Sequence, residues 1–265
     1  MSDLLEIRDL RVHFAGASTD AVDGVTITVP EGARVGIIGE SGSGKSVTAM
    51  SVLRLNNEKV ASYGAGSSIL FRGVDLLAQP LDALDEVRGS EISMIFQDPM
   101  STLNPVFRVG TQIVDVLRTH YPQSRASAKA AVLETLATVG IRDAERVYSR
   151  YPHELSGGMQ QRVMIAMAIS CKPSLLIADE ATSALDVTVQ AAVLETIGDL
   201  ADRLGMSVLM ITHDMGVVAR FCDYVYVMKS GLVVESGTAE QILLSPQDPY
   251  TQQLLAAVPR VRPNH

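Results

Sequence analysis

The sequence has 265 residues, of which 47% are hydrophobic and 20% charged, and its formal net charge is −8. This length and composition predict one large folded domain, or a domain with an inserted lobe, and they disfavour disorder. The negative charge disfavours sequence-independent binding of nucleic acid, which needs a basic surface. The two cysteines, Cys171 and Cys222, lack metal-site spacing, so we expect two reduced core thiols.

In the first part of the chain, alternating apolar residues and short apolar runs predict strands over residues 4–14, 22–32, 33–40, 67–76 and 91–98. The first two alternate as half-buried strands do, which suggests a small antiparallel sheet. A helix is predicted from Lys45 to about Leu55. The N-terminus lacks the basic segment and apolar stretch of a signal peptide, and no apolar run is long enough to cross a bilayer, so we expect a soluble or peripheral protein.

From about residue 99 to 149 the spacing of apolar residues becomes helical, which predicts an inserted helical lobe. Within the lobe, helices are predicted over 109–120 and 127–140, with Gly140 as a stop, and another helix follows Ser156. The rest of the chain is predicted to form a strand over 173–180, a helix over 188–205, and strands over 207–214 and 224–237. One further helix is predicted in the tail from about Ala239. Strands that alternate with helices predict an α/β fold with a mostly parallel sheet.

The segment "GIIGESGSGKS" has the glycine and Gly-Lys-Ser spacing of a phosphate-binding loop between a strand and a helix. Its glycines allow backbone N–H groups to turn towards the phosphates, Lys45 can reach the β- and γ-phosphates, and the Ser46 hydroxyl can bind Mg²⁺. The candidate nucleotide-binding residues are Gly39, Ser41, Gly42, Ser43, Gly44, Lys45, Ser46 and Val47.

An acidic pair, Asp179 and Glu180, ends the buried apolar strand "LLIAD". Ligands of parallel sheets bind beyond the carboxyl ends of the strands, so we expect Asp179 to hold Mg²⁺ through water and Glu180 to act as the general base on the attacking water. A solvated Asp-Glu pair at a strand end is the alternative.

A second glycine turn, "LSGGMQQR", precedes another helix. Free N–H groups at a helix start form an anion site, yet this turn has no lysine. The question is therefore what a second phosphate-binding turn does in a chain that already has one.

The motifs "LSGGMQQR", "LLIADEATSALD" and "ITHD", in this order after the phosphate loop, resemble the ATP-binding subunit of an ABC transporter, and the resemblance covers almost the whole chain. The segments "GESGSGKSVT", "QDPMSTLNPVFRVGTQI" and "DPYTQQLLAAVP" are similar to the oligopeptide, dipeptide and nickel importer branch. This resemblance implies a P-loop NTPase (RecA-like) fold, with a mostly parallel sheet core, a small antiparallel β subdomain and an inserted α-helical subdomain.

The resemblance also implies domain boundaries within a single ABC ATPase domain. Residues 1–98 and 166–238 would form the ATP-binding core with its antiparallel part, 99–165 the helical signature subdomain, and 239–265 a C-terminal helix and tail.

Several roles are implied by the resemblance alone. Gln97 would sense Mg²⁺ and the γ-phosphate, and His213 would bind the γ-phosphate and help to place the attacking water. Asp186 would lie at a dimer interface, and the signature motif would consist of Ser156, Gly157, Gly158 and Gln160. The signature turn would thus close over ATP held by the phosphate loop of another subunit.

An aromatic residue about thirty positions before the loop lysine stacks on adenine in this family, and Phe14 is the candidate. The alternative is that Phe14 packs in the small sheet. Ala181 departs from the family's usual proline, which concerns loop stiffness more than chemistry. The tail lacks the cysteine cluster that some peptide importers carry, so we expect no iron–sulfur cluster beside ATP and Mg²⁺.

The implied partners are two membrane permease subunits, a second ATP-binding subunit and, indirectly, an extracytoplasmic solute-binding protein, but no nucleic acid. The second subunit is often a different chain in this branch, so a heterodimer is expected and a homodimer is the alternative. The chain would lie peripherally at the cytoplasmic face of the cell membrane. Met100, Leu103 and Phe107 could seat a short helix of the permease, or they could pack inside the lobe.

The expected function is ATP hydrolysis that powers import of di- or oligopeptides, with nickel or other small solutes as the alternative cargo. A soluble ABC ATPase acting on DNA or the ribosome is disfavoured because there is no room for a long coiled coil and no second cassette. A regulatory cassette that binds ATP without hydrolysis is disfavoured because Glu180 and His213 are both present.

Overall fold

The computed structural model describes residues 3–96, 102–181 and 187–257. The strands are β1 Asp3–Phe14, β2 Val22–Pro30, β3 Arg34–Ile38, β4 Ala61–Tyr63, β5 Ser68–Phe71, β6 Val74–Asp75, β7 Ile92–Ile95, β8 Leu175–Asp179, β9 Ser207–Thr212, β10 Tyr224–Lys229 and β11 Leu232–Thr238. The α-helices are α1 Lys45–Val52, α2 Val109–His120, α3 Arg125–Thr138, α4 Ala144–Tyr148, α5 Gly157–Ile169, α6 Val187–Leu204, α7 Met215–Phe221, α8 Ala239–Leu244 and α9 Pro249–Ala256.

The chain divides into two compact units, one containing the residues up to 78 and from 210 onwards, and the other containing residues 79–209. In the first unit, β1 pairs antiparallel with β2, β4 and β5. The predicted antiparallel sheet is therefore present. Its strands bury one alternating face, as with Leu5, Ile7 and Val12 of β1, and the register shifts after Ile7, near the left-handed Asp9.

A parallel pair in the first unit leads to the phosphate loop. Strand β3 pairs in parallel with β10, so that Val35 lies opposite Tyr224 and Ile38 opposite Val227. Strand β3 is almost wholly buried, as predicted from its unbroken apolar run, because parallel strands are covered on both faces. Strand β10 turns through Ser230 and Gly231, both with positive φ, into antiparallel β11.

The second unit carries the helical lobe and a second parallel pair. Strand β7 pairs in parallel with β8, and β8 is buried throughout. Helix α5 buries residues on all sides, as expected for a helix surrounded by protein. Helix α2 lies close to α4, where a Cβ on Gly110 would come within 2.2 Å of the Tyr148 ring.

Four predictions of local structure are wrong. The predicted strand over 67–76 is a hairpin, because Arg72 and Gly73 both have positive φ and form a tight turn between β5 and β6. The predicted strand over 224–237 is likewise a hairpin, β10 and β11, which turns at Ser230 and Gly231. The predicted single tail helix is two helices, α8 and α9, because Asp248 caps a new helix that starts at Pro249. The helix predicted to reach Leu55 ends at Val52, and Arg54 just beyond it is left-handed.

Both cysteines are buried, as predicted, and burial raises the pKa of the Cys222 thiol to about 12. No helix in the described ranges combines the length and the apolar character needed to cross a membrane.

Candidate functional site

The phosphate loop connects β3 to α1 in the first unit, as its sequence predicts. Lys45 begins the helix, and only 4% of its surface is exposed. Its ammonium group donates to the carbonyl oxygens of Gly39 at 2.8 Å and Glu40 at 2.7 Å. The lysine thus lies folded inside its own loop, where the backbone carbonyls occupy the donors that a phosphate would take.

Two glycines of the loop are required by close contacts. Gly39 has φ +150°, and a Cβ there would lie 2.1 Å from the backbone oxygen of Met228. Gly44, the residue before α1, has φ +100°, and a Cβ there would lie 2.5 Å from the Ala21 oxygen. Larger residues at these two positions would clash with backbone, so the loop can exist only with glycine here.

Neighbouring segments of the first unit brace the loop from outside. The N–H of Gly231, in the β10–β11 turn, donates to the Ser43 carbonyl at 3.0 Å. The Tyr250 hydroxyl of α9 accepts a hydrogen bond from the Glu40 N–H at 3.0 Å. Neither residue was singled out from the sequence as part of the site.

The remaining predicted residues of the loop differ in exposure. Ser41 and Gly42 are exposed, Ser43 is buried, and Ser46 and Val47 are half-buried in the first turn of α1. The loop therefore presents its middle to solvent and keeps its two ends inside the unit.

The acidic pair lies where the sequence predicts it, at the C-terminal end of β8 in the second unit. Asp179 is buried and Glu180 is half-buried. Glu180 has φ +46°, a left-handed conformation that costs free energy in a residue other than glycine. Such strain is common where a structure must aim a functional side chain, and here it falls on the candidate general base.

The signature turn lies at the start of α5 in the second unit. Ser156 and Gly157 are exposed, and among the described residues the Ser156 hydroxyl caps none of the N–H groups of its helix. A Cβ on Gly157 would meet nothing within 4 Å, whereas one on Gly158 would approach Val189 to 3.1 Å. The helix start thus offers N–H groups, a hydroxyl and the positive end of the helix dipole to a ligand from outside.

Two glutamines after the signature turn have different roles. The predicted ligand Gln160 is buried, and its amide donates to the carbonyls of Pro152 at 2.9 Å and Leu155 at 3.3 Å. The amide of Gln161, which the sequence did not single out, donates to the Ala181 carbonyl. Gln160 therefore holds the chain before the signature turn, and Gln161 connects α5 to the residue that follows Glu180.

The segment before the signature is ordered by Glu154, which accepts from the Tyr151 N–H at 2.8 Å and from Arg150 at 2.6 Å. The hydrogen bond from Tyr151 lowers the pKa of Glu154 below its ordinary value. His153 stacks on the Tyr151 ring with centroids 5.7 Å apart.

His213 lies between β9 and α7 and is exposed. Its neighbours fix this turn, because the Thr212 hydroxyl accepts from the Asp214 N–H and the Asp214 carboxylate caps α7 through the Gly216 N–H. The histidine therefore stands at the carboxyl end of a strand on an ordered turn.

Phe14 is half-buried at the end of β1, where it pairs with Ala61 of β4. Leu103 is buried, as expected if it packs inside the lobe and does not seat a permease helix. Phe107, by contrast, is 51% exposed. Gln97, Met100 and Asp186 lie outside the described residues.

Comparisons with known proteins agree with these features. A family model for ABC transporters matches residues 22–183. The peptidoglycan transport ATP-binding protein YejF of Agrobacterium fabrum is 52% identical over 99% of this chain and 48% of its own length. The probable peptide ABC transporter ATP-binding protein y4tR of Sinorhizobium fredii is 50% identical over 97% of this chain and 77% of its own length. The glutathione import ATP-binding protein GsiA of Salmonella typhimurium is 48% identical over 98% of this chain and 42% of its own length.

The fold is also that of solved cassettes. A dimeric, post-hydrolysis structure of the ATP-binding cassette MJ0796 with ADP and Pi superposes with a TM-score of 0.78 at 26% identity, covering 89% of this chain and 98% of that one. The cbiO1 protein from Clostridium perfringens gives a TM-score of 0.78 at 24% identity, covering 92% of each chain, and this likeness concerns the fold alone.

The chain therefore has the predicted α/β fold of a P-loop NTPase, the class that contains ATP-binding cassettes. It belongs to the ABC transporter family, as the motifs predict. It spans about half the length of YejF and GsiA and about three quarters of y4tR.

Proposed function

We propose that this chain is the ATP-hydrolysing subunit of an ABC importer whose cargo is di- or oligopeptides. Relatives about half identical over nearly the whole chain are named for peptide, glutathione and peptidoglycan transport, and these names support this cargo class. Nickel and other small solutes are the alternative cargo.

The observation that carries the proposal is the buried lysine of the phosphate loop. Lys45 is held by two carbonyl oxygens of its own loop, and ATP can replace them because its phosphates accept stronger, charge-assisted hydrogen bonds. The loop lies between β3 and α1, so the dipole of α1 adds to the attraction for phosphate.

Mg²⁺ is proposed on the chemistry of the donors. Ser46 offers a hydroxyl and Asp179 a carboxylate, the hard oxygen ligands that this cation prefers, and Gln97 would add an amide oxygen. When bound with ATP, the ion would neutralise charge on the β- and γ-phosphates.

Hydrolysis is assigned to three side chains of this protein. Glu180 accepts the proton of the attacking water, His213 donates a hydrogen bond to the γ-phosphate, and Gln97 senses the presence of that phosphate. The left-handed backbone at Glu180 supports this assignment, because it sets the side chain apart from the strand that precedes it.

The signature turn is proposed to serve a second ATP-binding subunit. ATP would lie between the phosphate loop of one subunit and the helix start at Ser156 of the other, with Asp186 near the interface. A ligand that contacts both faces favours the closed dimer by differential binding, and loss of phosphate would let the dimer open. The partner would be a related chain or a second copy of this one.

The dimer would act on two permease subunits at the cytoplasmic face of the cell membrane, with a solute-binding protein delivering cargo from the other side. In this proposal Phe107 and Val106, which are 51% and 70% exposed, form the apolar contact with a permease helix. Nucleic acid has no part in this function.

The test is ATP turnover by the purified chain and by Glu180→Gln. We expect the variant to bind ATP like the wild type and to accumulate as a closed dimer in analytical ultracentrifugation. Its rate of phosphate release should fall by about a hundredfold or more, because a general base contributes a factor of about 10²–10⁴ to such rates. Turnover near the wild-type rate would refute the role of Glu180, and a wild-type chain that does not bind ATP would refute the function.

The cargo is tested in cells from which the gene has been deleted. Uptake of labelled di- and oligopeptides, and separately of nickel, is compared before and after the gene is restored. Peptide uptake that depends on the gene supports the proposal, whereas dependence of nickel uptake alone would favour the alternative cargo.

A further inference from the structure

One peptide group of the phosphate loop is held on both sides. The carbonyl and the N–H of the Gly39–Glu40 peptide group point in opposite directions, because the unit is planar and trans. The Lys45 ammonium donates to this carbonyl at 2.8 Å, and the Tyr250 hydroxyl accepts from this N–H at 3.0 Å. The first contact comes from within the loop, and the second comes from a helix 210 residues further along the chain.

Tyr250 is itself firmly placed. It is 5% exposed, and its own N–H donates to Asp248, which caps α9. Glu235 of β11 accepts from the N–H groups of Gln247 at 2.7 Å and Asp248 at 3.1 Å, which fixes the start of the helix. The ammonium of Lys229 lies 4.6 Å from the centre of the Tyr250 ring. The hydroxyl therefore belongs to a rigid support.

The backbone next to this peptide group is also sterically constrained. Gly39 adopts φ +150°, and it lies against the carbonyl of Met228, the residue before Lys229. The Tyr250 hydroxyl oxygen accepts the Glu40 N–H, and burial raises the pKa of this phenol above its ordinary value. Gly39 and Glu40 are thus held by a backbone contact and by one side-chain hydroxyl.

Lys45 has three N–H donors, and in this structure it donates to the carbonyls of Gly39 and Glu40. When the ammonium also binds a phosphate, its hold on the Gly39 carbonyl would weaken. The contact with Tyr250 lies on the other side and can remain. A loop that is already ordered binds more tightly than one that must be ordered during binding.

We infer that Tyr250 is a positioning residue of the nucleotide site, which makes the C-terminal helix α9 part of the ATP-binding machinery. This inference rests on the proposed function, because it concerns the same phosphate loop. Tyr250 does not touch the nucleotide and acts through the Gly39–Glu40 peptide group.

The test is Tyr250→Phe, with Tyr226→Phe as a matched control. Tyr226 lies in the same unit, and its hydroxyl also accepts a backbone N–H at 3.0 Å, that of Thr28 in β2, which is not part of the loop. Both variants delete one hydroxyl and leave one N–H without this acceptor. Any general loss of stability should therefore be similar in the two.

We expect Tyr250→Phe to weaken ATP binding by about threefold to tenfold in calorimetry, the range that one net hydrogen bond corresponds to. Its KM for ATP should rise by the same factor while kcat stays near the wild-type value. Hydrogen exchange at the Glu40 amide should be faster in this variant alone. Tyr226→Phe should leave ATP affinity, KM and Glu40 exchange as in the wild type.

Equal ATP affinity in wild type and Tyr250→Phe would overturn the inference, and so would an equal loss in both variants. These outcomes are distinct from failure of the proposed function, which would appear as a wild-type chain that does not bind ATP at all. If Tyr250→Phe fails to fold, Lys229→Ala, which removes the side chain that carries the cation over the ring, is measured in the same way. It should weaken ATP binding by a smaller factor, and unchanged binding would then count against the inference.

Discussion

The phosphate loop that ends at Lys45 and the signature turn at Ser156 both stand before a helix, yet the first is enclosed by its unit and the second is open. Lys45 is buried and hydrogen bonded to its own loop, and the loop is braced by Gly231 and Tyr250. Ser156 and Gly157 are exposed, and a Cβ on Gly157 would meet nothing. An enclosed site can bind a ligand alone, whereas an open helix start has weak affinity until another surface brings the ligand to it.

The largest expected difference between the two turns is in nucleotide binding by a single chain. Lys45→Ala should weaken ATP binding by about tenfold to a hundredfold, because hydrogen bonds to charged groups contribute about 1.5–3 kcal/mol. Ser156→Ala should leave the affinity of the monomer unchanged within the error of the measurement. Calorimetry at concentrations where the chain is monomeric checks both, and a comparable loss in the two variants would mean that the turns act on one nucleotide within one chain.

A second difference, in the free energy of unfolding, is expected when one glycine of each turn is replaced. Gly39→Ala should cost at least about 2 kcal/mol of unfolding free energy, because its Cβ would collide with a carbonyl at a backbone angle that suits glycine. Gly157→Ala should change stability by less than about 1 kcal/mol, since the space is open and alanine favours helix. Urea unfolding measures both, and similar losses would contradict the contrast between an enclosed and an open turn.

The sequence predicts the enclosed turn better than its surroundings. The spacing of "GESGSGKS" and its place between a strand and a helix were sufficient to locate the loop at Lys45. The apolar run before Asp179 was likewise sufficient to place the acidic pair at the end of a buried strand. Both predictions depend on contacts between near neighbours in the chain.

The sequence does not predict two contacts that depend on how the surrounding chain folds. The bond from Glu40 to Tyr250 joins positions 210 residues apart, and no local pattern indicates it. The amide of Gln160 turns back to Pro152 and Leu155, which depends on how the preceding segment folds. Pro249 after Asp248, by contrast, was a readable signal for the second tail helix, since proline is common in the first turn of a helix.

In the proposed dimer, the signature turn of one subunit completes the ATP site of the other. Two copies of the chain joined by a flexible linker test this arrangement, with Lys45→Ala to disable a phosphate loop and Ser156→Arg to disable a signature turn. In one fusion the two substitutions lie in different copies, and in the other they lie in the same copy. We expect the fusion with separated substitutions to keep one intact site and to hydrolyse ATP, whereas the fusion with both substitutions in one copy has no intact site and should stay at background. The reverse result would refute the shared site, because it would mean that each signature turn serves the phosphate loop of its own chain.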